Sequence, residues 1–238
     1  MDLLALSVAP GIAICIYIFF KDKYKREPVG LLLISFILGV LSIIPAMLLE
    51  FPFSHQMNEM AGKSIQQVAF YAFIVVGFSE EISKYIMVRY FAFKRIAFDD
   101  PFDGIVYTVM VGMGFATVEN IGYVYQHGMA TGIMRMFLSV PAHATFAVLM
   151  GYHIGLAKFD IAKRKSHLFY AILWPVIFHG TFDFFLFRGV TIYHVGGAIV
   201  SFIIALKLSR RAIRKKLLLS RGYSQGIDTI TDKDHSLL

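Results

Sequence analysis

Seven long apolar runs divide this chain. They fall at about residues 2–20, 29–49, 65–93, 104–125, 133–156, 167–187 and 190–208. Each has the roughly 20 residues that an α-helix needs to cross the hydrocarbon core of a bilayer. Only 16% of the residues are charged and the mean hydropathy is +0.65, far from the balance of a soluble domain. The sequence therefore predicts an all-α, polytopic transmembrane helix bundle of about seven spans.

Lysine and arginine lie almost entirely in alternate connections between these runs. Nineteen of the 23 basic residues fall after the first, third, fifth and seventh runs, while the opposite loops hold Lys63, Arg135 and Arg188. Cytoplasmic loops carry the basic excess, so we expect the N-terminus outside and the C-terminus in the cytoplasm. The net charge of +7 then reflects topology and contact with anionic membrane lipids. Nucleic acid is not an expected partner.

The chain offers one functional unit. Residues 1–210 form the predicted membrane domain, and residues 211–238 form a basic juxtamembrane segment followed by a polar tail, residues 222–238, that we expect to be disordered. No soluble region is long enough to hold a separate activity, so function must reside among the helices. The single cysteine, Cys15, excludes an intrachain disulfide and argues against a cysteine-based zinc site.

Several ionisable residues lie inside the apolar runs, where a charge costs about 2.5 to 3.5 kcal/mol on insertion scales. At about 1.5 Å of rise per residue, one central-to-outer layer of the membrane contains Glu80, Glu119, His143, His179 and Asp183. We therefore expect a shared polar cavity. The residues are Glu80, Glu81 and Lys84 in the third run, Glu119 in the fourth, His143 in the fifth, and His179 and Asp183 in the sixth.

The spacing within the third run indicates chemistry. Glu80 and Lys84 are four residues apart and share a helix face, which favours an ion pair, and Glu81 reaches Lys84 at three residues' spacing. One carboxylate can stay ionised beside the ammonium while the other exchanges a proton, which suits a general acid or base. A structural network that pins helices together is the alternative.

The other ionisable residues are less specific by themselves. His179 and Asp183 share a face, so that the carboxylate can orient the imidazole, but the same spacing suits two metal ligands. Glu119, followed by Asn120, can serve as a packing hydrogen-bond partner, and His143 as an interhelical histidine. No His-Glu-x-x-His helix of a zincin occurs. A water-activating hydrolase and a proton-coupled transporter or channel both stay open, with a non-catalytic scaffold third.

Four motifs follow one another on successive helices and resemble those of the PrsW family of glutamic-type intramembrane proteases, relatives of the CAAX endopeptidases and Abi proteins. The resemblance covers about residues 1–210 and implies a multi-pass peptidase of the bacterial cell membrane. It implies the first, site-1, cut in a single-span anti-sigma factor, on its extracytoplasmic side. The motifs are Phe78-Ser-Glu-Glu-Ile-Ser-Lys84, Phe115-Ala-Thr-Val-Glu-Asn120, Pro141-Ala-His-Ala-Thr-Phe146 and His179-Gly-Thr-Phe-Asp-Phe184.

Carried over residue by residue, the resemblance implies that Glu80 is the base that activates water and that Glu81 is its partner. His179 and Asp183 match the family's final motif, His-x-x-x-Asp/Asn. These two residues would orient water or stabilise the oxyanion.

One position departs from the wider group, which commonly has Phe-x-x-x-His in the second motif. Glu119 stands in the place of that histidine, and whether His143 supplies the imidazole instead stays open. Lys84 and Asn120 are expected to support the site. We expect no cofactor and no metal, although glutamate, histidine and aspartate are all possible metal ligands.

Overall fold

The computed structural model describes residues 2–57, 62–189 and 191–224. The regular elements of these residues are helical and include no strand, which confirms the predicted all-α fold class. The α-helices are α1 (Leu3–Lys21), α2 (Val29–Leu41), α3 (Ile43–Glu50), α4 (Ser54–Met57), α5 (Ile65–Phe70), α6 (Ser79–Tyr90), α7 (Asp103–Phe137), α8 (Ser139–Phe159), α9 (Arg164–Phe187) and α10 (Ile192–Ser224).

Six helical segments of the described chain are long and apolar enough to cross a membrane. One of them, Asp103–Phe159, has 57 residues, which at about 1.5 Å per residue far exceeds a single hydrocarbon core of about 30 Å. This segment contains α7 and α8, which lie antiparallel. Gly104 packs against the Gly151 backbone, and a Cβ added at Gly112 would lie 2.8 Å from Cβ of Ala147. With these two helices counted separately, the bundle matches the seven predicted runs, and its orientation in the membrane stays a prediction.

Helix α7 lies at the centre of the bundle and packs against α1, α2 and α8. Its first half is buried almost without interruption. The helix is broken at Gly128, whose backbone angles are φ 79° and ψ −170°. Glycine adopts a positive φ readily because it has no Cβ. The last turns of α7 therefore change direction and return towards the middle of the same helix.

The third apolar run is a composite helix. The π-helical segment Tyr71–Phe78 lies between α5 and α6. π-Helices are rare in proteins as a whole, but those that occur are frequently found at functional sites. Gly77 in this segment touches Gly180 of α9, since a Cβ added at Gly77 would lie 3.2 Å from the Gly180 nitrogen. The helix that carries the glutamate pair and the helix that carries the sixth-run histidine thus meet backbone to backbone.

Helix α10 continues past the predicted end of the seventh run to Ser224. Its C-terminal end lies at the predicted cytoplasmic face of the bundle, where the hydroxyl of Ser220 donates a 2.7 Å hydrogen bond to Oδ2 of Asp100. The helix includes residues 222–224, the beginning of the tail that we expected to be disordered. Residues 225–238 lie outside the described residues, so disorder there stays a prediction, as does the division at residue 210.

Candidate active site

A cavity of about 310 Å³ lies between α3, α6, α7, α8 and α9. Apolar side chains, including Phe115 and Phe146, form part of its wall. Glu81 and Lys84 do not line the cavity but lie buried beside Glu80. The structure therefore brings the sequence-predicted residues of four different helices together. The polar and charged side chains along the cavity include Glu50, Glu80, Glu119, Tyr123, Arg135, Ser139, His143, His179 and Asp183.

The ammonium of Lys84 lies at the centre of the buried cluster. It donates hydrogen bonds of 3.0 Å to Oε2 of Glu80 and 2.8 Å to Oε1 of Glu81, as the helical spacing predicted. It also lies 3.4 Å from Nδ1 of His143, and 4.0 Å from the ring centroid of Phe115, a distance that suits a cation–π contact. These four contacts hold a buried positive charge beside two neighbouring carboxylates.

The contact with Lys84 also assigns the tautomer of His143. A lysine ammonium has only donors, so Nδ1 of His143 must accept and its proton must lie on Nε2. That nitrogen lies 2.9 Å from Oε2 of Glu119. His143 therefore links the lysine of α6 to the glutamate of α7.

Arg135 completes the environment of Glu119. Its Nη2 lies 2.9 Å from Oε2 of Glu119, and its Nε donates a 3.0 Å hydrogen bond to Oδ1 of Asn120. The Asn120 amide in turn donates to the carbonyl of Ser7 at 2.9 Å, which ties α7 to α1. Fifteen residues of unbroken helix would separate Asn120 from Arg135 by about 22 Å, so the break at Gly128 is what brings them together.

His179 lies between carboxylates. Its Nδ1 is 2.9 Å from Oε1 of Glu81, and its Nε2 is 3.2 Å from Oδ2 of Asp183, the pair predicted from their spacing. Protons on both ring nitrogens would satisfy both acceptors. Nε2 also lies 3.9 Å from Oε2 of Glu80, too far for a hydrogen bond. Phe146 stacks on the ring with centroids 5.0 Å apart and so fixes its plane.

The two adjacent glutamates have different surroundings. Glu80 lines the cavity, whereas Glu81 is 1% exposed and does not. Oε1 of Glu81 accepts from Lys84 and contacts His179, and its Oε2 is buried without a hydrogen-bond partner among the described residues. Glu81 is therefore placed to hold the lysine and the histidine, and Glu80 is placed to meet a molecule in the cavity.

The same cluster has a donor set of the kind that binds zinc. Nitrogen and oxygen atoms of Glu80, Glu81, His143 and His179 lie within 4.8 Å of one another. However, the Lys84 ammonium already contacts three of these four residues. A divalent ion bound by these residues would have to displace the ammonium, or lie close to it and be repelled by its charge. The donor set does not fit a metal ion while Lys84 is charged and in this place.

Two charged residues of the cavity were not predicted from the sequence. Arg135 was counted only as a basic residue of an outer loop, and Glu50, the last residue of α3, was not singled out. Arg135 reaches the site through the break in α7 at Gly128, a residue between the fourth and fifth apolar runs, and the sequence does not reveal that the chain turns back there. For Glu50 the only signal was an acidic residue at the predicted outer end of a span.

Comparison with known proteins gives a consistent result. A family model described as PrsW family intramembrane metalloprotease matches residues 27–208. Protease PrsW of Geobacillus kaustophilus is 38% identical over 185 residues, which cover 78% of this chain and 80% of that protein. Protease PrsW of Bacillus subtilis is 36% identical over 185 residues, or 77% and 82% of the two chains. The Oceanobacillus iheyensis protein of that name is 32% identical over 214 residues, or 89% and 96%. No solved structure matches.

Proposed function

The chain belongs to the PrsW family of intramembrane proteases, and from that premise we propose that it cleaves its substrate with a water molecule activated by Glu80. The family and its relatives support a membrane-embedded peptidase, and the transporter or channel alternative is not favoured. One observation carries the choice of base. Glu80 lines the cavity, whereas Glu81 is buried behind it and engaged by Lys84 and His179.

In the proposed reaction, Glu80 takes a proton from water as the water oxygen bonds to the carbonyl carbon of the scissile peptide. The carbon–nitrogen bond then breaks, and the proton passes from Glu80 to the amine nitrogen that leaves. The products are a carboxylic acid and an amine, which then exchange a proton to become a carboxylate and an ammonium, and no oxidant or other reactant is needed. A positioned general base of this kind contributes about 10²- to 10⁴-fold to the rate.

His179 is the proposed stabiliser of the oxyanion that forms during the attack. Its Nε2 lies 3.9 Å from Oε2 of Glu80 and 3.2 Å from Oδ2 of Asp183, so a carbonyl oxygen held beside the base would accept the Nε2 proton in place of Asp183. Glu81 and Asp183 hold the ring from its two sides. Donors that are already oriented towards the developing charge stabilise a transition state without reorganisation.

The family description names a metalloprotease, and we propose instead that no metal takes part. The support is the position of the Lys84 ammonium, which contacts Glu80, Glu81 and His143. Every step above uses only side chains of this chain and water. The proposed mechanism is therefore of the glutamic type that the four motifs implied.

The proposed substrate is a single-span anti-sigma factor of a bacterial cell membrane, cut on its extracytoplasmic side. Two features support this proposal. The first is the resemblance of the four motifs, and the second is the position of the cavity, which lies beside the predicted outer end of α3 at Glu50. Membrane lipids surround the bundle in this account, and regulated proteolysis in a stress response would be its role.

Coexpression with candidate single-span anti-sigma factors, followed by N-terminal sequencing of the fragments, tests the proposal. Glu80→Gln should accumulate in the membrane and leave the substrate intact. Asp99→Asn is the matched control, because this carboxylate lies at the surface in an exposed ion pair with Lys25 and its loss should leave cleavage unchanged. Near-normal cleavage by Glu80→Gln would defeat the assignment of the base.

A further inference from the structure

The position of Lys84 has a consequence for the identity of the cation in the site. Glu80 and Glu81 are adjacent, buried and 5% and 1% exposed. Two such carboxylates require a positive partner, because burying an unpaired charge is far more costly than burying a paired one. The carboxylates and imidazoles around this position can bind either a divalent ion or a lysine ammonium.

The ammonium fills this position completely. It has three hydrogens to donate, and three acceptors surround it at 3.0, 2.8 and 3.4 Å in Glu80, Glu81 and His143. The face of the Phe115 ring covers its remaining side at 4.0 Å. The distances to Glu80 and Glu81 are those of hydrogen bonds, and the longer distance to His143 is that of a weaker polar contact.

We propose that Lys84 is the resident cation of this cluster, and that Glu80, Glu81, His143 and His179 become a divalent-metal site only when its ammonium is removed. The inference rests on the proposed function, because it names the cation of that same site. It also accounts for the presence of metal-type donors in a chain whose family description names a metalloprotease and whose proposed mechanism uses no metal.

The other positive groups of the site do not take over this task. Arg135 lies 2.9 Å from Glu119 and is engaged there and with Asn120. His179 contacts Glu81 but lies 3.9 Å from Glu80. Loss of the ammonium therefore leaves the Glu80 carboxylate without a close cation. It also leaves Nδ1 of His143 without the lysine that its lone pair now faces, so that this nitrogen can bind a metal ion.

Metal content of the purified protein tests the proposal. Wild type, Lys84→Ala and Lys94→Ala are produced with zinc in the medium, dialysed against metal-free buffer and measured by elemental analysis. Lys94 is the control because it is an exposed lysine beyond the end of α6, near Tyr90. Wild type and Lys94→Ala should hold almost no zinc, and Lys84→Ala should hold about one ion per chain.

Two further measurements show where the ion binds. Cobalt added to Lys84→Ala should produce the visible absorption of a site with nitrogen and oxygen ligands, and wild type should show none. His143→Ala combined with Lys84→Ala should abolish both the zinc and the absorption. If Lys84→Ala does not accumulate, Glu80→Gln with Lys84→Ala takes its place, because it removes one uncompensated charge and keeps Glu81, His143 and His179 as donors.

Either of two results would overturn the inference. One is wild-type protein with about one tightly bound ion per chain that His143→Ala removes. The other is a folded Lys84→Ala protein, or its Glu80→Gln combination, that binds no more metal than wild type. The inference and the proposed function can fail separately, since metal content is measured without a substrate. A metal-free Lys84→Ala protein defeats the inference alone, and cleavage by Glu80→Gln defeats the proposed base alone.

Discussion

Substitution of Gly180 by alanine should disturb the site through the backbone. A Cβ at this position would lie 2.6 Å from Cγ and 2.9 Å from Cα of Phe73. The ring can rotate away, but the Cα moves only if the π-helical segment Tyr71–Phe78 shifts from α9. His179 precedes Gly180 directly, and the glutamate pair of α6 follows the π-helical segment, so this shift separates the proposed base from the proposed oxyanion donor.

The expected magnitude follows from the packing. Forcing a methyl group into a filled contact costs about 1 to 3 kcal/mol. For a chain of this size each kcal/mol corresponds to about 2 to 4 °C in Tm, so Gly180→Ala should melt about 2 to 12 °C below wild type. A displacement of about 1 Å between reacting groups can reduce the rate about 10²-fold, so cleavage should fall even in the fraction that is folded.

Gly122→Ala provides the matched control, because among the described residues a Cβ added there would meet no atom within 4 Å apart from the nearby backbone of its own helix. The unfolded chain has less conformational freedom with alanine than with glycine. The free energy of unfolding of this variant should therefore equal that of wild type or exceed it by about 0.4 to 1 kcal/mol. Thermal unfolding in detergent and cleavage of a coexpressed single-span substrate are measured for both variants. If Gly180→Ala melts and cleaves like Gly122→Ala, the backbone contact does not position the site.

Three further predictions concern charge. Arg135→Gln should lower the Tm more than Arg135→Gln combined with Glu119→Gln, because the single change leaves a half-buried carboxylate without its arginine; equal Tm values would show that the pair is not coupled. Burial raises the pKa of Asp22 to about 7, so the folded protein binds an extra proton between about pH 4 and 7 and loses stability as the pH rises through this window. Melting of wild type at pH 5 and 8 should show this loss, and Asp22→Asn should show a smaller loss, because burial also raises the pKa of Glu27 and of Asp100; identical pH profiles would exclude Asp22 as a source. A reporter that works only in the cytoplasm should be active when it is fused at Lys165. Activity at Lys165 of a reporter that works only outside the cytoplasm would contradict the predicted topology.

Features that depend on local spacing were predictable from the sequence. Apolar runs of bilayer length specified the helices, since a helix satisfies its own backbone groups in lipid. The contacts of Lys84 with Glu80 and Glu81 follow from spacings of four and three residues, and so does the proximity of His179 to Asp183. These pairs lie on a single helix and need no knowledge of how the helices pack.

Features that depend on packing between distant segments were not predictable. The π-helical conformation of Tyr71–Phe78 and its contact with Gly180 arise where two helices meet, and a hydrophobic run carries no signal for either. Arg135 reaches the site only because Gly128 adopts a positive φ, and the other glycines of α7 are helical. The engagement of His143 by Lys84 needed the relative placement of α6 and α8, which sequence spacing does not specify.

The most direct test of the central claim is cleavage by purified protein whose metal content is known. The wild-type protein is treated exhaustively with a membrane-permeant chelator, checked by elemental analysis and given a single-span substrate in lipid vesicles. Cleavage by the metal-free wild type should continue at the untreated rate and should be lost in Glu80→Gln. Cleavage that disappears on chelation and returns with added zinc would contradict it and would indicate a metallopeptidase.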